Sequence, residues 1–130
     1  MVPFVLPPGD TRLLIHISAL ATHTRDMQEH PRAALLVMAE PDAATLPQAL
    51  PRVALQADAM MLPREGADYE SARAVYLNRF PAAIQMFELA DFSLVALKPV
   101  AARLVAGFAQ AYSLVGEALA NWLIDCGRNK

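Results

Sequence analysis

Ten prolines punctuate this sequence, and Pro31, Pro63, Pro81 and Pro99 each stand where an apolar or amphipathic run stops. Proline has no amide N–H to give to a ladder, and its ring clashes with the preceding helical turn. The chain is therefore restricted to short elements, and the hydrophobic pattern between the breaks decides what each one is.

Val2–Leu6 is a short apolar run closed by the turn signal Pro7-Pro8-Gly9-Asp10, and Leu13–Ser18 follows as a strand rich in branched residues, which suggests a hairpin. From Ala19 to His30, Leu20, Thr24 and Met27 fall at helical spacing, and Ser18, Thr22 and Thr24 all qualify as N-caps. Ala33–Ala39 is a continuous apolar run that reads as a buried strand, and Glu40–Pro51 has no period and reads as a loop. Arg52–Leu62 alternates, with Val53, Leu55, Ala57, Ala59 and Met61 on one face and Arg52, Gln56 and Asp58 on the other. Ala67–Phe80 carries the clearest helical stripe, Tyr69, Ala72, Tyr76 and Phe80. Phe92–Leu97 and Arg103–Phe108 read as two strands joined by a hairpin-like turn over Lys98–Ala102. Gly116–Asp125 reads as a closing helix, with Cys126 onward a frayed tail.

Hairpins outnumber strand–helix–strand crossovers in this order. The expected fold is mainly β (α+β): an antiparallel sheet closed, or nearly closed, into a barrel with two or three helices at its ends. A length of 130 residues predicts one domain over the whole chain.

Composition mostly excludes. A net charge of −2 leaves no electrostatic case for nucleic acid. The longest stretch free of Asp, Glu, Lys and Arg, Leu104 to Gly116, is 13 residues, too short for a bilayer, so no membrane partner is expected. The N-terminus has early prolines and no basic region, unlike a secretory signal. The single cysteine, Cys126, forbids an internal disulfide and fits a reducing cytoplasm. The hydrophobic share of 55% is inflated by 25 alanines, so it permits a sticky oligomer surface without showing one.

His16, His23 and His30 recur every seven residues, but His16 falls in a strand, so the three cannot line one helix face as a metal site. No nucleophile elbow, zinc-protease helix or glycine-rich phosphate loop is present. An enzyme built on this chain needs a cofactor for the chemistry. The segment most like a binding device is the strand-to-helix junction with Ser18, Thr22, His23, Thr24 and Arg25. Hydroxyls and cations at a helix start suit a phosphate, and they equally suit a plain N-cap with a polar surface.

These residues, in this order, resemble the pyridoxamine 5′-phosphate oxidase-related family, whose fold is the FMN-binding split barrel, in the subgroup near haem-utilisation proteins. The matching features are Ser18, Leu20-Ala21, His23-Thr24 and His30-Pro31-Arg32. They continue with the strand Pro51–Ala57, the helix end Tyr76-Leu-Asn-Arg-Phe-Pro81, Asp91-Phe-Ser-Leu94 and the closing stretch Arg103–Ala111. The resemblance covers roughly Val2 to Leu114, and its family carries a further strand ahead of the segment matching Val2. It implies a six-stranded split barrel, a homodimer and FMN at the subunit interface. Ile17, Ser18, His23, Thr24, Arg25 and Arg52 would contact that cofactor. The implied activity is a flavin-dependent oxidoreductase of unknown substrate. The alternatives on the same barrel are a haem-binding or haem-utilisation protein and a cofactor-free binding dimer.

Overall fold

The computed structural model describes residues 2–38, 50–106 and 110–128. The elements run β1 (Leu13–Ser18), α1 (Thr22–Glu29), β2 (Arg32–Met38), β3 (Arg52–Met61), α2 (Ala67–Arg79), a 3-10 turn (Pro81–Ala83), α3 (Ile84–Phe87), β4 (Phe92–Val105), β5 (Ala111–Val115) and α4 (Gly116–Arg128). All strand pairs are antiparallel, in the order β1-β4-β3-β2, with β5 also on β4. β1 takes Phe92–Leu97 and β5 takes Ala101–Val105, so these two strands share one side of β4 and β3 takes the other. The sheet curls: Ile15 of β1 and Leu35 of β2 line one cavity, although β4 and β3 separate them in the sheet. The result is a split half-barrel of the expected class, with five strands among the described residues where the resemblance implies six, and four α-helices where two or three were expected.

Alternation sorts β1 into two cores. Leu13, Ile15 and Ile17 face the concave side and pack with Val95, Leu97, Leu55 and Ala57, closed by Leu119 and Leu123 of α4. Leu14 faces the other way, into a second cluster in which Tyr69, Ala72 and Tyr76 of α2 and Phe87 of α3 cover Leu94 and Ala96. Both the alternation of β3 and the stripe of α2 stand as the sequence predicts, with Leu55 and Ala57 buried while Gln56 and Asp58 are exposed on the outer face of the strand.

Several details depart from expectation. The two strands expected around Lys98–Ala102 are one 14-residue strand, β4. Its partner register slips between Gln56 and Ala57, which pair with Ala101 and Pro99, so Val100 is an extra residue in a bulge. The bulge accommodates the missing Pro99 N–H and reverses the parity of the strand. Val95 and Leu97 point inward before it, Ala102 after it. β2 is half-exposed rather than buried on both faces, because nothing among the described residues covers Leu36 and Met38. α1 starts at Thr22 after Ala21, with no side-chain cap, so none of the three hydroxyl candidates plays that part. Val2–Leu6 forms no strand and pairs with β1 only through the Val5–Leu14 bridge. Gly116 turns β5 into α4 at φ +57, a left-handed backbone that residues with a Cβ rarely adopt. α4 absorbs Cys126–Arg128, and Gly127 packs against Pro7, where a Cβ would lie 3.2 Å from the carbonyl oxygen. Leu50 and Pro51 apart, the expected loop after β2 lies outside the described residues, as do Gly107 and Phe108.

Candidate functional site

The Ser18–Arg25 junction folds into a tight corner in which the hydroxyls of Ser18 and Thr24 are taken up locally. The Thr24 hydroxyl donates to the Ser18 carbonyl at 2.6 Å, and Thr24 is 1% exposed. Ser18 Oγ accepts from the Leu20 amide at 3.1 Å and donates to the Asp91 carboxylate at 3.5 Å. The Ala19 amide donates to the Asp91 carbonyl. Asp91 therefore brings a negative charge to the corner. Ile17 is buried in the concave core, and Arg25 is exposed on α1. His23 lies on α1, with its side chain outside the described residues. Within one chain Arg52 is not brought to this corner. It pairs with Val105 at the far end of β4, whereas Ser18 pairs with Phe92 at the near end, and Arg52 Nη1 donates to the Leu50 carbonyl at 3.4 Å.

A cavity of about 350 Å³ opens instead at the split of the half-barrel, under α1. That volume falls in the range of small-molecule sites. Its floor is apolar, with Ile15 of β1, Leu97 of β4 and Ala33 and Leu35 of β2. Its chemistry comes from the end of α1 and the start of β2: Asp26, Met27, His30 and Arg32. Met27 sits in the last turns of α1 and His30 follows the helix as its C-cap on an extended backbone (φ −132°, ψ 95°), and both line the cavity. His30 ends the helix, its amide donating to the Asp26 carbonyl at 2.8 Å, because Pro31 cannot continue it. Among the described residues the His30 ring has no hydrogen-bond partner. Arg32 begins β2, and its Nε donates to the Asp58 carboxylate at 2.7 Å across the β2–β3 pair. In the linear pattern His30-Pro31-Arg32 reads as a helix stop. The signal for a site was the i, i+3 spacing of Met27 and His30 with a cation just beyond the break.

Haem takes a neutral imidazole or a thioether on its iron and an apolar bed for its ring. Met27 and His30 supply such donors, and Ile15, Leu35 and Leu97 supply an apolar bed. The residues fit the group.

No protein-family model matches the chain. Among curated proteins it is similar to the chloroplastic non-canonical haem oxygenase HOZ of Arabidopsis thaliana, 32% identical over 109 residues. That match takes 84% of this chain and 32% of the relative. Among solved structures it is similar to a haem-binding protein from Mycobacterium smegmatis, with TM-score 0.74 and 33% identity over 85% of this chain and 44% of that one. HutZ, a haem storage protein from Vibrio cholerae, has TM-score 0.68 at 23% identity, over 88% of this chain and 72% of that one, and shows the likeness of fold. All three are named for haem. The chain spans about a third of the length of HOZ and under half of the mycobacterial protein.

These likenesses correct the expectation of FMN and of a flavin-dependent oxidoreductase, since both of these relatives above 30% identity are named for haem. The physical reason for the misreading lies in the corner. Its hydroxyls looked like phosphate ligands, whereas those of Ser18 and Thr24 hold the turn together beside a carboxylate. No helix among the described residues is long and apolar enough to cross a membrane.

Proposed function

We propose that this chain is a haem-binding domain of the split-barrel class, with haem seated at the split under α1. The observation that carries the reading is the apolar cavity whose only described histidine is His30, beside Met27. The likeness to HOZ and to the mycobacterial haem-binding protein supports it. Bound haem would supply a redox-active, oxygen-reactive iron. The chain's own residues would bind and orient: His30 would hold the iron through its imidazole, with Met27 beside it in the cavity lining. Ile15, Leu35 and Leu97 exclude water from the ring. Titration of the protein with ferric haem tests this. A saturable Soret band that is weakened in His30→Ala and kept in His23→Ala is expected; no saturable band contradicts the reading.

The working unit in this proposal is a homodimer. The outer face of β2 leaves Leu36 61% and Met38 47% exposed, and Val115 of β5 is 64% exposed. Leu36 and Val115 line an outer groove of about 530 Å³ with Ala34, Ala54 and Ala101. Burying such a face is favourable, and a second copy is the partner the resemblance implies. The single cysteine keeps a reducing cytoplasm as the proposed compartment.

A further inference from the structure

One wall of the cavity comes from neither the sheet nor α1. Val2 lines it, together with Ile15, Met27 and Leu97, and is exposed. Val2 belongs to a short run whose side chains alternate: Phe4 and Leu6 pack on the concave core, and Val5 is buried in the second cluster. The run lies along β1, the edge strand of the sheet, and one bonded pair ties it there. The Val5 amide donates to the Leu14 carbonyl at 3.0 Å, and the Leu14 amide to the Val5 carbonyl at 2.8 Å. Bonded pairs recur every second residue of an antiparallel ladder, so the flanking pairs here join Pro3 to His16 and Pro7 to Arg12. Proline has no N–H, so neither pair can close with both of its bonds. The Arg12 amide turns to the Asp10 carboxylate instead, at 3.0 Å. Val5 and Leu6 are buried and fix the run at one end, while Val2 and Pro3 are exposed at the other.

We infer that Val2–Phe4 is a hinged wall of the ligand site, which swings out from the Val5–Leu14 pair to admit the ligand and then closes against its apolar ring. The inference rests on the haem-binding reading and adds to it the ligand's way in. Pro3 keeps the wall free, because an N–H at this position would donate to the His16 carbonyl and extend the pairing along the mouth of the cavity. Phe4 is the latch, since it packs on the concave core that includes Ile15 and Leu97 of the cavity floor. Entry and exit of the ligand pass through the same opening, so whatever holds the wall closed slows both.

The test is stopped-flow association of ferric haem, and its transfer from the loaded protein to excess apomyoglobin, for the unaltered protein, Pro3→Val and Phe4→Ala. Circular dichroism confirms that each variant is folded, and amide hydrogen exchange reads the pairing at the edge of β1. Pro3→Val should make the amides of position 3 and His16 slow to exchange, and should slow haem association and dissociation severalfold with the equilibrium affinity nearly kept. Phe4→Ala should speed both rates severalfold; if it does not fold, Pro3→Val decides alone. An association rate in Pro3→Val equal to that of the unaltered protein overturns the inference and leaves the haem reading standing. So does a His16 amide that gains no protection in Pro3→Val, or a folded Phe4→Ala that takes up haem no faster. Failure of the unaltered protein to take up haem saturably overturns the two together.

Discussion

The imidazole of His16 lies flat on the ring of Phe87, with centroids 3.8 Å apart and planes 7° from parallel. Tyr76 and Phe92 close around it at 5.8 and 5.1 Å, and among the described residues its Nδ1 has no hydrogen-bond partner. This histidine is a core residue between the sheet and α2–α3. Burial, aided by the positive charge of Arg64, pushes its pKa down from 6.5 to about 4.

An acid sensitivity of the fold follows. Between pH 6.5 and 4 the unfolded chain binds a proton at His16 that the folded chain does not, so stability falls as the pH drops through this window. Below about pH 4 both states are protonated and the effect levels off. The slope should be below ~1 kcal/mol per pH unit once solvent screening is allowed for. Urea unfolding of the protein and of His16→Leu across the acid limb, from neutral pH down to the folded pKa, checks it. The stability difference between the two should move in favour of the variant as pH falls; a constant difference contradicts this role for His16.

Arg12 clamps the start of β1 to the first turn of α2, its two terminal nitrogens on the two oxygens of Asp68 at 3.0 and 3.1 Å. The hydrogen bond from Arg12 holds the Asp68 carboxyl below its usual range. A depressed carboxyl contributes stability above its unfolded pKa and loses it as pH falls through the folded one. Asp68 is about half exposed, so Asp68→Asn should cost only ~0.2–1 kcal/mol at neutral pH, and less at high salt. Thermal melts at low and high ionic strength measure it.

Deleting Val100 should leave folding cooperative. Val100 is the residue left over by the ladder, so without it Pro99 and Ala101 follow one another opposite Ala57 and Gln56, and Ala102 still faces the concave core. A melt followed by circular dichroism should keep its sigmoid, whereas Ala102→Asp, which puts a charge at a position 4% exposed, should lose it.

Leu36→Glu places a charge in the centre of the exposed face of β2. It should convert a dimer to a monomer by sedimentation and leave the melting of the monomer unit within ~0.5 kcal/mol, as for a surface site. An unaltered protein that is monomeric at all concentrations contradicts the proposed homodimer.

The sequence carried β3 and α2 openly, because one period ran without interruption from Arg52 to Met61 and from Ala67 to Arg79. It concealed β4, because Pro99 and the parity change at Val100 imitate a turn between two strands. The missed β5 is short and follows residues that give no strand period. The shape of the cavity was not legible from linear pattern, since Ile15, Leu97 and His30 meet only when the sheet curls. The corner from Ser18 to Arg25 was located correctly as a strand-to-helix junction, and the hydroxyls of Ser18 and Thr24 serve that junction.

If His30 holds haem at the split of the half-barrel, its imidazole is bonded to the iron, and magnetic circular dichroism reads that bond. The comparison is between the protein loaded with one equivalent of ferric haem and His30→Ala, with and without added imidazole. The expected spectrum is that of a histidine-ligated iron, lost in His30→Ala and restored by imidazole. Absence of haem uptake, or histidine ligation that persists unchanged in His30→Ala, would refute His30 as the ligand.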